Sequence, residues 1–291
     1  EIVHYMCQQS LINYLYTELN QGGVAYENLG EKQLQAFRSI GKGGQYELTI
    51  KHTSGPTVQK KDIETLIKYG EQLAENEAVV EEKGKETKTY KYQFPPSIRE
   101  NAKIIDKKLM AIRVCDPAAG SGAFPVGMMA EIVKARNVLS AYIKEQNRTP
   151  YNFKRECIEN SIYGVDIDPG ACEVAKLRLW LSLVVDEEDI TQIKPLPNLD
   201  YKIVCGNSLL SVERDLFNNE LFSKLELLKQ LYFNETNPRR KQEYKKQIEE
   251  LINKITNGHK EFDFEVYFSE VFHQKKGFDV VIANPPYNAK F

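Results

Sequence analysis

No uncharged apolar run in this chain of 291 residues approaches the roughly 18 residues a membrane span requires. The opening Glu1-Ile2-Val3-His4 has neither the basic start nor the apolar stretch of a secretory signal. These two absences predict a cytoplasmic protein with no membrane partner. Cysteine is also sparse. Cys7, Cys115, Cys157, Cys172 and Cys205 are scattered, with no Cys-x-x-Cys pair, which argues against a zinc site and leaves no metal expected. Three of the five lie in apolar or strand-like surroundings and read as reduced core residues. An excess of one charge is missing too: the net charge is -2 and the pI near 6.2, which argues against a strongly cationic nucleic-acid binder. A nucleic-acid substrate would have to be held by a local patch or by chain outside this sequence. There is no initiator Met, and the sequence reads as a piece of a longer or processed chain. What is present, 42% hydrophobic and 27% charged residues, is the composition of an ordinary globular protein with enough length for one large domain or two small ones.

Residues 1–20 are predicted to form an amphipathic helix, with Val3, Cys7, Leu11 and Leu15 at fourfold spacing and Met6 and Ile12 beside them. Residues 21–60 are Gly-rich and polar, with one alternating segment around Tyr46–Ile50, and residues 71–93 read as a solvated helix and loop of dense mixed charge. From residue 111 strands and helices alternate. Strands are expected at Ala111–Cys115, Ser161–Val165, Ile203–Cys205 and Phe278–Ala283. A helix should follow the first strand to about Lys144, and another should span Pro169–Val185 with Val174, Leu177, Leu181 and Val184 on one face. Such alternation implies an α/β, doubly wound parallel sheet.

The long connection 206–277 reads as a helical hairpin. Leu221, Leu225 and Leu228 lie on its first helix, a break falls at Asn234–Pro238, and Ile248, Leu251, Ile252 and Ile255 lie on its second, with Pro238 in the first turn. Arg239-Arg240-Lys241, with Lys245 and Lys246, either touches nucleic-acid phosphates or forms a solvated helical face, the second being the commoner use of such a run.

The turn Asp116-Pro117-Ala118-Ala119-Gly120-Ser121-Gly122-Ala123-Phe124 follows the first strand and opens a helix, the place where doubly wound sheets bind ligands. Glycines there permit positive φ and close approach to the backbone. A dinucleotide site would require Gly-x-Gly-x-x-Gly, but Pro125 stands at the third glycine position, which counts against nicotinamide or flavin. A carboxylate at Asp116 repels a pyrophosphate and suits a ligand bearing an ammonium group, such as the methionine part of S-adenosylmethionine.

In Tyr163-Gly164-Val165-Asp166-Ile167-Asp168-Pro169 the carboxylate of Asp166 stands where it can accept both hydroxyls of a ribose, and Ile167 can pack on an adenine face. Asp168 followed by Pro169 reads as a helix cap, and a wholly structural alternative makes both aspartates caps and turn formers. In Cys205-Gly206-Asn207-Ser208-Leu209, Asn207 can meet an adenine edge or simply form a turn.

The fourth strand delivers Asn284-Pro285-Pro286-Tyr287 to the same edge. An exocyclic amine on a base is a poor nucleophile because its lone pair is delocalised into the ring. Two acceptors on its N–H groups favour a pyramidal nitrogen, and the Asn284 side-chain oxygen and the Pro285 carbonyl can supply them. The two successive prolines, Pro285 and Pro286, hold that carbonyl rigidly. Tyr287 offers a face on which an extruded base can stack. Catalysis would then come mostly from orientation and from stabilising developing charge. The bland reading of Asn-Pro-Pro-Tyr is a loop with a turn.

Together these residues resemble the amino-methyltransferases of DNA in their gamma arrangement, where the cofactor motifs precede Asn-Pro-Pro-Tyr. Within that group the chain is similar to the large adenine-specific methyltransferases of bacterial type IIG restriction–modification and related phage-defence systems. The likeness also includes Tyr163–Leu183, Pro195-Leu196-Pro197-Asn198-Leu199-Asp200, Gly206-Asn207-Ser208-Leu209 and the helix Glu1–Leu15. It implies a Rossmann-like S-adenosylmethionine-dependent methyltransferase fold, truncated after the fourth strand, with helical insertions. The implied organisation is a cofactor-pocket helix at 1–20, an insertion and helical lead-in at 21–110, and a partial catalytic domain at 111–291 containing the insertion 206–277.

By the same resemblance, Asp116, Ala118, Gly120 and Phe124, with Pro117 and Gly122 in the same turn, line the methionine side of an S-adenosylmethionine pocket. Asp166 and Ile167 hold ribose and adenine, Asn207 the adenine amine, and Asn284, Pro285, Pro286 and Tyr287 the target adenine, flipped out of duplex DNA and methylated at N6. The implied partners are duplex DNA, met mostly through regions outside this chain, and an endonuclease and target-recognition domain, fused or separate. Two departures stand out. The family's Tyr-Thr-Pro turn, which precedes the first helix and helps close over the methionine end, would lie before Glu1, and the sequence stops four residues after Tyr287. The expectation is therefore that this chain alone binds cofactor weakly and methylates DNA poorly. Three other readings stay open: an RNA methyltransferase, a protein-glutamine N-methyltransferase, and a non-catalytic methyltransferase-like scaffold.

Overall fold

The computed structural model describes residues 1–20, 58–185, 194–195, 197–209, 219–256, 258 and 262–285. Four strands, β1 (Val114–Asp116), β2 (Ile162–Asp166), β3 (Ile203–Cys205) and β4 (Val280–Val281), form one sheet in the order β3-β2-β1-β4. All neighbours are parallel, with Asp116 opposite Gly164, Asp166 opposite Cys205 and Cys115 opposite Val281. The chain steps outward from β1 to β3 and then returns to the other side of β1. The order therefore reverses between β1 and β4, and the crevice at the carboxyl ends there is the usual ligand position in such sheets.

Side chains alternate along each strand, so the sheet feeds two cores. Val114, Ile162 and Ile203 belong to the larger one. The other holds Cys115, Tyr163, Val165 and Val204 against Phe262, Phe268 and Val271. Parallel strands need crossovers of one hand, which puts the helices before and after the reversal on opposite faces. This is the doubly wound, Rossmann-like fold expected from the sequence.

The helix α1 (Ile2–Asn20) buries Cys7, Leu11, Ile12, Leu15 and Leu19, as its spacing predicts. The charged stretch after residue 58 is more than a solvated surface. Its helix α2 (Lys60–Lys83) buries Ile63, Leu66, Ile67 and Val80, and buries Glu77 as well. The Glu77 carboxylate accepts from Gln93 N, Phe94 N and the Tyr142 hydroxyl at 3.0, 2.7 and 2.8 Å, which ties the following loop to the core. Two short helices, α3 (Pro96–Glu100) and α4 (Ala102–Ala111), lead into β1. The Tyr46–Ile50 segment lies outside the described residues.

After β1, α5 (Ala123–Leu139) ends five residues before the expected Lys144, where a 3-10 turn takes over at Ser140–Tyr142. The next helix, α6 (Pro150–Asn160), was not expected from periodicity, although Thr149 accepting from Asn152 N and Pro150 behind it are a recognisable start. In α7 (Pro169–Val184), of the four residues expected on one face only Val184 packs against the core. Cys172, Ala175, Leu179 and Leu183 are buried, whereas Val174, Leu177 and Leu181 are 46%, 49% and 50% exposed. The helix is apolar nearly all round, so periodicity alone did not single out the buried stripe. Close packing does: a Cβ on Gly122 would lie 3.0 Å from the Ala175 Cβ, so the small residues must face inward.

The connection to β4 contains the expected hairpin, α8 (Asn219–Asn234) and α9 (Pro238–Ile255). Leu225, Leu228, Ile248, Leu251, Ile252 and Ile255 pack together in it. Asn237 caps α9, with Pro238 as its first residue. Two helices that the sequence reading omitted, α10 (Phe264–Tyr267) and α11 (Ser269–Lys275), then cover the second face of the sheet.

Candidate active site at the carboxyl edge

The carboxyl end of β1 places Asp116 beneath the glycine turn, only 2% exposed. Its Oδ1 accepts from Ala118 N at 3.0 Å, and its Oδ2 is buried with no hydrogen-bond partner among the described residues. Burial pushes its pKa up to about 6, against the Ala118 hydrogen bond and with a further push from the Asp166 charge. A buried acceptor is costly to leave unpaired. The arrangement therefore fits a donor, preferably cationic, arriving from outside the described residues.

The two glycines of the turn have different reasons to be glycine. Both have positive φ, +50° at Gly120 and +84° at Gly122. A Cβ on Gly120 would meet nothing within 4 Å, so its backbone faces open space; one on Gly122 would run into Ala175. Gly122 thus serves the packing of α7, and Phe124, 6% exposed, sits in the main core. Pro117 and Ala118 are half-buried on the rim of the turn.

Asp166 ends β2 and is already engaged. Its Oδ2 accepts from Gly120 N at 2.7 Å and its Oδ1 from Asp168 N at 2.9 Å, binding the two loops together. Each carboxylate oxygen retains a second lone pair for a diol. Ile167 beside it is 68% exposed. Asp168 caps α7 by accepting from Gly170 N at 2.8 Å, as expected. At the end of β3 the Asn207 Oδ1 accepts from Leu209 N at 3.0 Å, the turn-forming use of that side chain. Ser208, which the sequence reading passed over, donates to the Pro117 carbonyl at 2.8 Å and joins the third loop to the first.

Asn284 and Pro285 emerge exposed from β4, beside the end of β1. Pro286 and Tyr287 lie outside the described residues. Between these loops and the segment leading into β4 lies an apolar cavity of about 640 Å³, lined in part by Pro117, Ala118, Leu209 and Pro285. Its far wall is aromatic, from Phe264, Phe272 and Phe278. Residues at the end of the long insertion give no sequence sign of pointing back at the site.

A larger cavity, about 830 Å³, lies between α4, the end of α5 and the start of α6, a helix length from the glycine turn, and its buried arginines are paired. The basic run is also remote. Asn198, ahead of β3, is bonded to the Phe233 and Tyr232 carbonyls, so the hairpin tip sits at the amino end of the sheet. The 18-residue α9 separates that tip from the carboxyl edge by roughly 27 Å. Arg239 and Arg240 are exposed, Lys241 lies over the Tyr232 ring and Lys245 faces Asp200, the behaviour of a solvated helical face.

Residues 160–291 match the Eco57I restriction-modification methylase family. A Methanocaldococcus jannaschii protein assigned as a type II restriction enzyme and methyltransferase is 37% identical over 126 residues, which cover 39% of this chain and 10% of that protein. The chain thus spans about a tenth of the length of the curated relative it matches. No solved structure matches it. The likeness to restriction–modification methylases expected from the sequence holds over this stretch.

Proposed function

We propose that this chain carries the cofactor-binding and catalytic part of an S-adenosylmethionine-dependent DNA adenine-N6 methyltransferase of the gamma arrangement, with residues 1–20 bordering the cofactor pocket, 21–110 as an insertion and lead-in, and 111–291 as catalytic domain. One observation carries the reading: the buried Asp116 Oδ2, without a partner among the described residues, lies under an open glycine turn on the strand next to the one that leads into Asn284-Pro285. That juxtaposition supplies an acceptor for an ammonium group beside two acceptors for an amine.

When bound, the cofactor supplies an electrophilic methyl group on a sulfonium. The chain's own residues do the rest. Asp116 takes the amino group of the methionine end, and the Gly120 backbone lets that end approach closely. Asp166 offers its remaining lone pairs to the ribose diol and Ile167 an apolar face to the ring. Asn284 Oδ1 and the Pro285 carbonyl accept the two N–H groups of the adenine amine, turning its lone pair toward the methyl donor and stabilising the charge that develops. Tyr287 stacks on the extruded base. DNA affinity would come largely from surfaces outside this sequence, such as a target-recognition domain, with an endonuclease as fused or separate partner.

The test is Asn284→Ala in the full-length protein, followed by adenine-methylation mapping and cofactor titration. Methylation should fall at least about a hundredfold with cofactor affinity unchanged. Undiminished adenine methylation sinks the catalytic assignment, and methylation of an RNA or protein acceptor instead of DNA sinks the substrate.

A further inference from the structure

We infer that Cys172 and Cys205 form a thiol pair that a peroxide oxidises to a disulfide, and that this bridge disables the Asp166–Ile167 loop as a seat for the methyl donor; the second half rests on the reading above. The two residues come from different elements, the first turn of α7 and the end of β3. They meet behind one loop. The Cys172 sulfur lies 3.7 Å from the Asp166 carbonyl oxygen and 3.6 Å from that of Val204, so it touches the peptide group that joins Val204 to Cys205. The Cys205 sulfur lies 3.6 Å from the Ile167 carbonyl oxygen. Side chains alternate along β3, and Ile203 packs in the main core with Cys172, Ala175 and Leu179. Cys205, two residues on, therefore projects on the same side of the sheet, toward α7.

Exposure divides the chemistry between them, since Cys205 is open to solvent and Cys172 is buried. A peroxide reaches Cys205: the sulfur takes one oxygen, the O–O bond breaks and water leaves, giving a sulfenic acid. Burial pushes the Cys172 pKa up to about 11, with the Cys205 and Asp166 charges adding to it, so this thiol keeps its proton. Its sulfur then displaces the sulfenic hydroxyl, which leaves with the Cys172 proton as a second water. Two thiols and one peroxide become one disulfide and two waters. An S–S bond is about 2.05 Å long, so closing it draws the end of β3 against the start of α7. It also removes both S–H donors from the Asp166 and Ile167 carbonyls. Asp166 binds Gly120 N and Asp168 N through its carboxylate, so a shift there moves the ribose acceptor and the glycine turn together.

Treatment of the full-length protein with hydrogen peroxide, followed by alkylation and tryptic digestion, reads the bridge by mass. Titration with S-adenosylhomocysteine before oxidation, after it and after dithiothreitol reads its effect. Peptides 156–176 and 203–214 should appear joined and lighter by two hydrogens, with fragmentation placing the bridge at Cys172 and not at Cys157. Affinity should fall about tenfold or more on oxidation and return on reduction. Cys205→Ser and Cys172→Ala should bind like the reduced wild type and lose the response to peroxide. If Cys205 is oxidised to a sulfinic acid without a bridge, or if the bridge forms and affinity holds, the inference falls and the methyl-donor reading stands. If the reduced wild type binds no ligand, that reading falls and the control of binding with it, whereas the thiol pair stands or falls by mass alone.

Discussion

Asp106 and Asp116 are buried to a similar degree, 7% and 2% exposed, at opposite ends of one sheet. Asp106, on the helix that leads into β1, accepts from Arg136 Nε at 3.0 Å and from both Arg148 Nη atoms at 2.8 and 2.9 Å. Burial pushes its pKa up, but the hydrogen bonds from Arg148 and Arg136 and their charges outweigh this and hold it below the ordinary carboxylate value. Both guanidinium groups also lie over the Phe153 ring. Asp116 has one backbone N–H and, among the described residues, no partner for its other oxygen, and burial carries its pKa up to about 6. One carboxylate is fully paired within the fold; the other keeps an oxygen without a partner among the described residues.

The largest expected effect sharpens that difference. Asp106→Ala removes the carboxylate shared by two buried guanidinium groups, leaving Arg136 only Glu156 as a charged partner, and should lower stability by about 3–5 kcal/mol, read from urea denaturation. Asp116→Asn removes a buried charge with no cationic partner among the described residues and should leave stability unchanged or slightly raised. An equal loss in both variants would make Asp116 a structural residue and break the comparison.

Binding should respond in the opposite way. Asp116→Asn removes the counter-charge for the ligand's ammonium and should weaken S-adenosylmethionine binding about tenfold to a hundredfold. Acid should act like the mutation. As pH falls through about 6 the Asp116 carboxyl is neutralised, so affinity should drop between pH 7 and pH 5. The stability signs differ at the two sites. A raised carboxyl pKa opposes folding above about 6 and is relieved below it, so Asp116 does not drive unfolding in this window. A lowered pKa, as at Asp106, stabilises above the unfolded value and is lost only as pH falls through the lower folded one. Calorimetric titration at the two pH values, with circular dichroism as the folding control, checks this; a pH-independent affinity would remove Asp116 from the site.

How much of this was legible in the sequence follows from what each feature depends on. β3 falls at its expected residues, and the hairpin folds as read, because strand runs and a capped helix start such as Asn237-Pro238 are local signals. The unpaired oxygen of Asp116 was not legible, since its isolation depends on how β1, β2 and the turn enclose it. Nor was Phe264, whose place at the site depends on the chain recrossing the sheet edge over Gly206. Asp166 was read as a ligand acceptor and also bonds the Gly120 and Asp168 N–H groups, the use that the wholly structural alternative gave to both aspartates. Asn207 shows the turn that its neighbours alone predict.

The smallest expected effect concerns α7, where a local signal misled. An apolar stripe at Val174, Leu177 and Leu181 satisfies helical spacing as well as the buried one does, so periodicity cannot choose between them. The choice is made at Gly122, whose close approach admits only a small residue at position 175 and so turns the Ala175 side of the helix inward. Leu177→Gln should therefore change stability by less than about 0.5 kcal/mol, as exposed substitutions do. Leu179→Ala, at a residue 0% exposed, should cost about 2–5 kcal/mol. Urea denaturation of the two variants decides between the stripes. A large loss at Leu177 in the full-length protein would mean that this face is covered by chain or partner outside the described residues, and the periodicity reading would then have been right about burial.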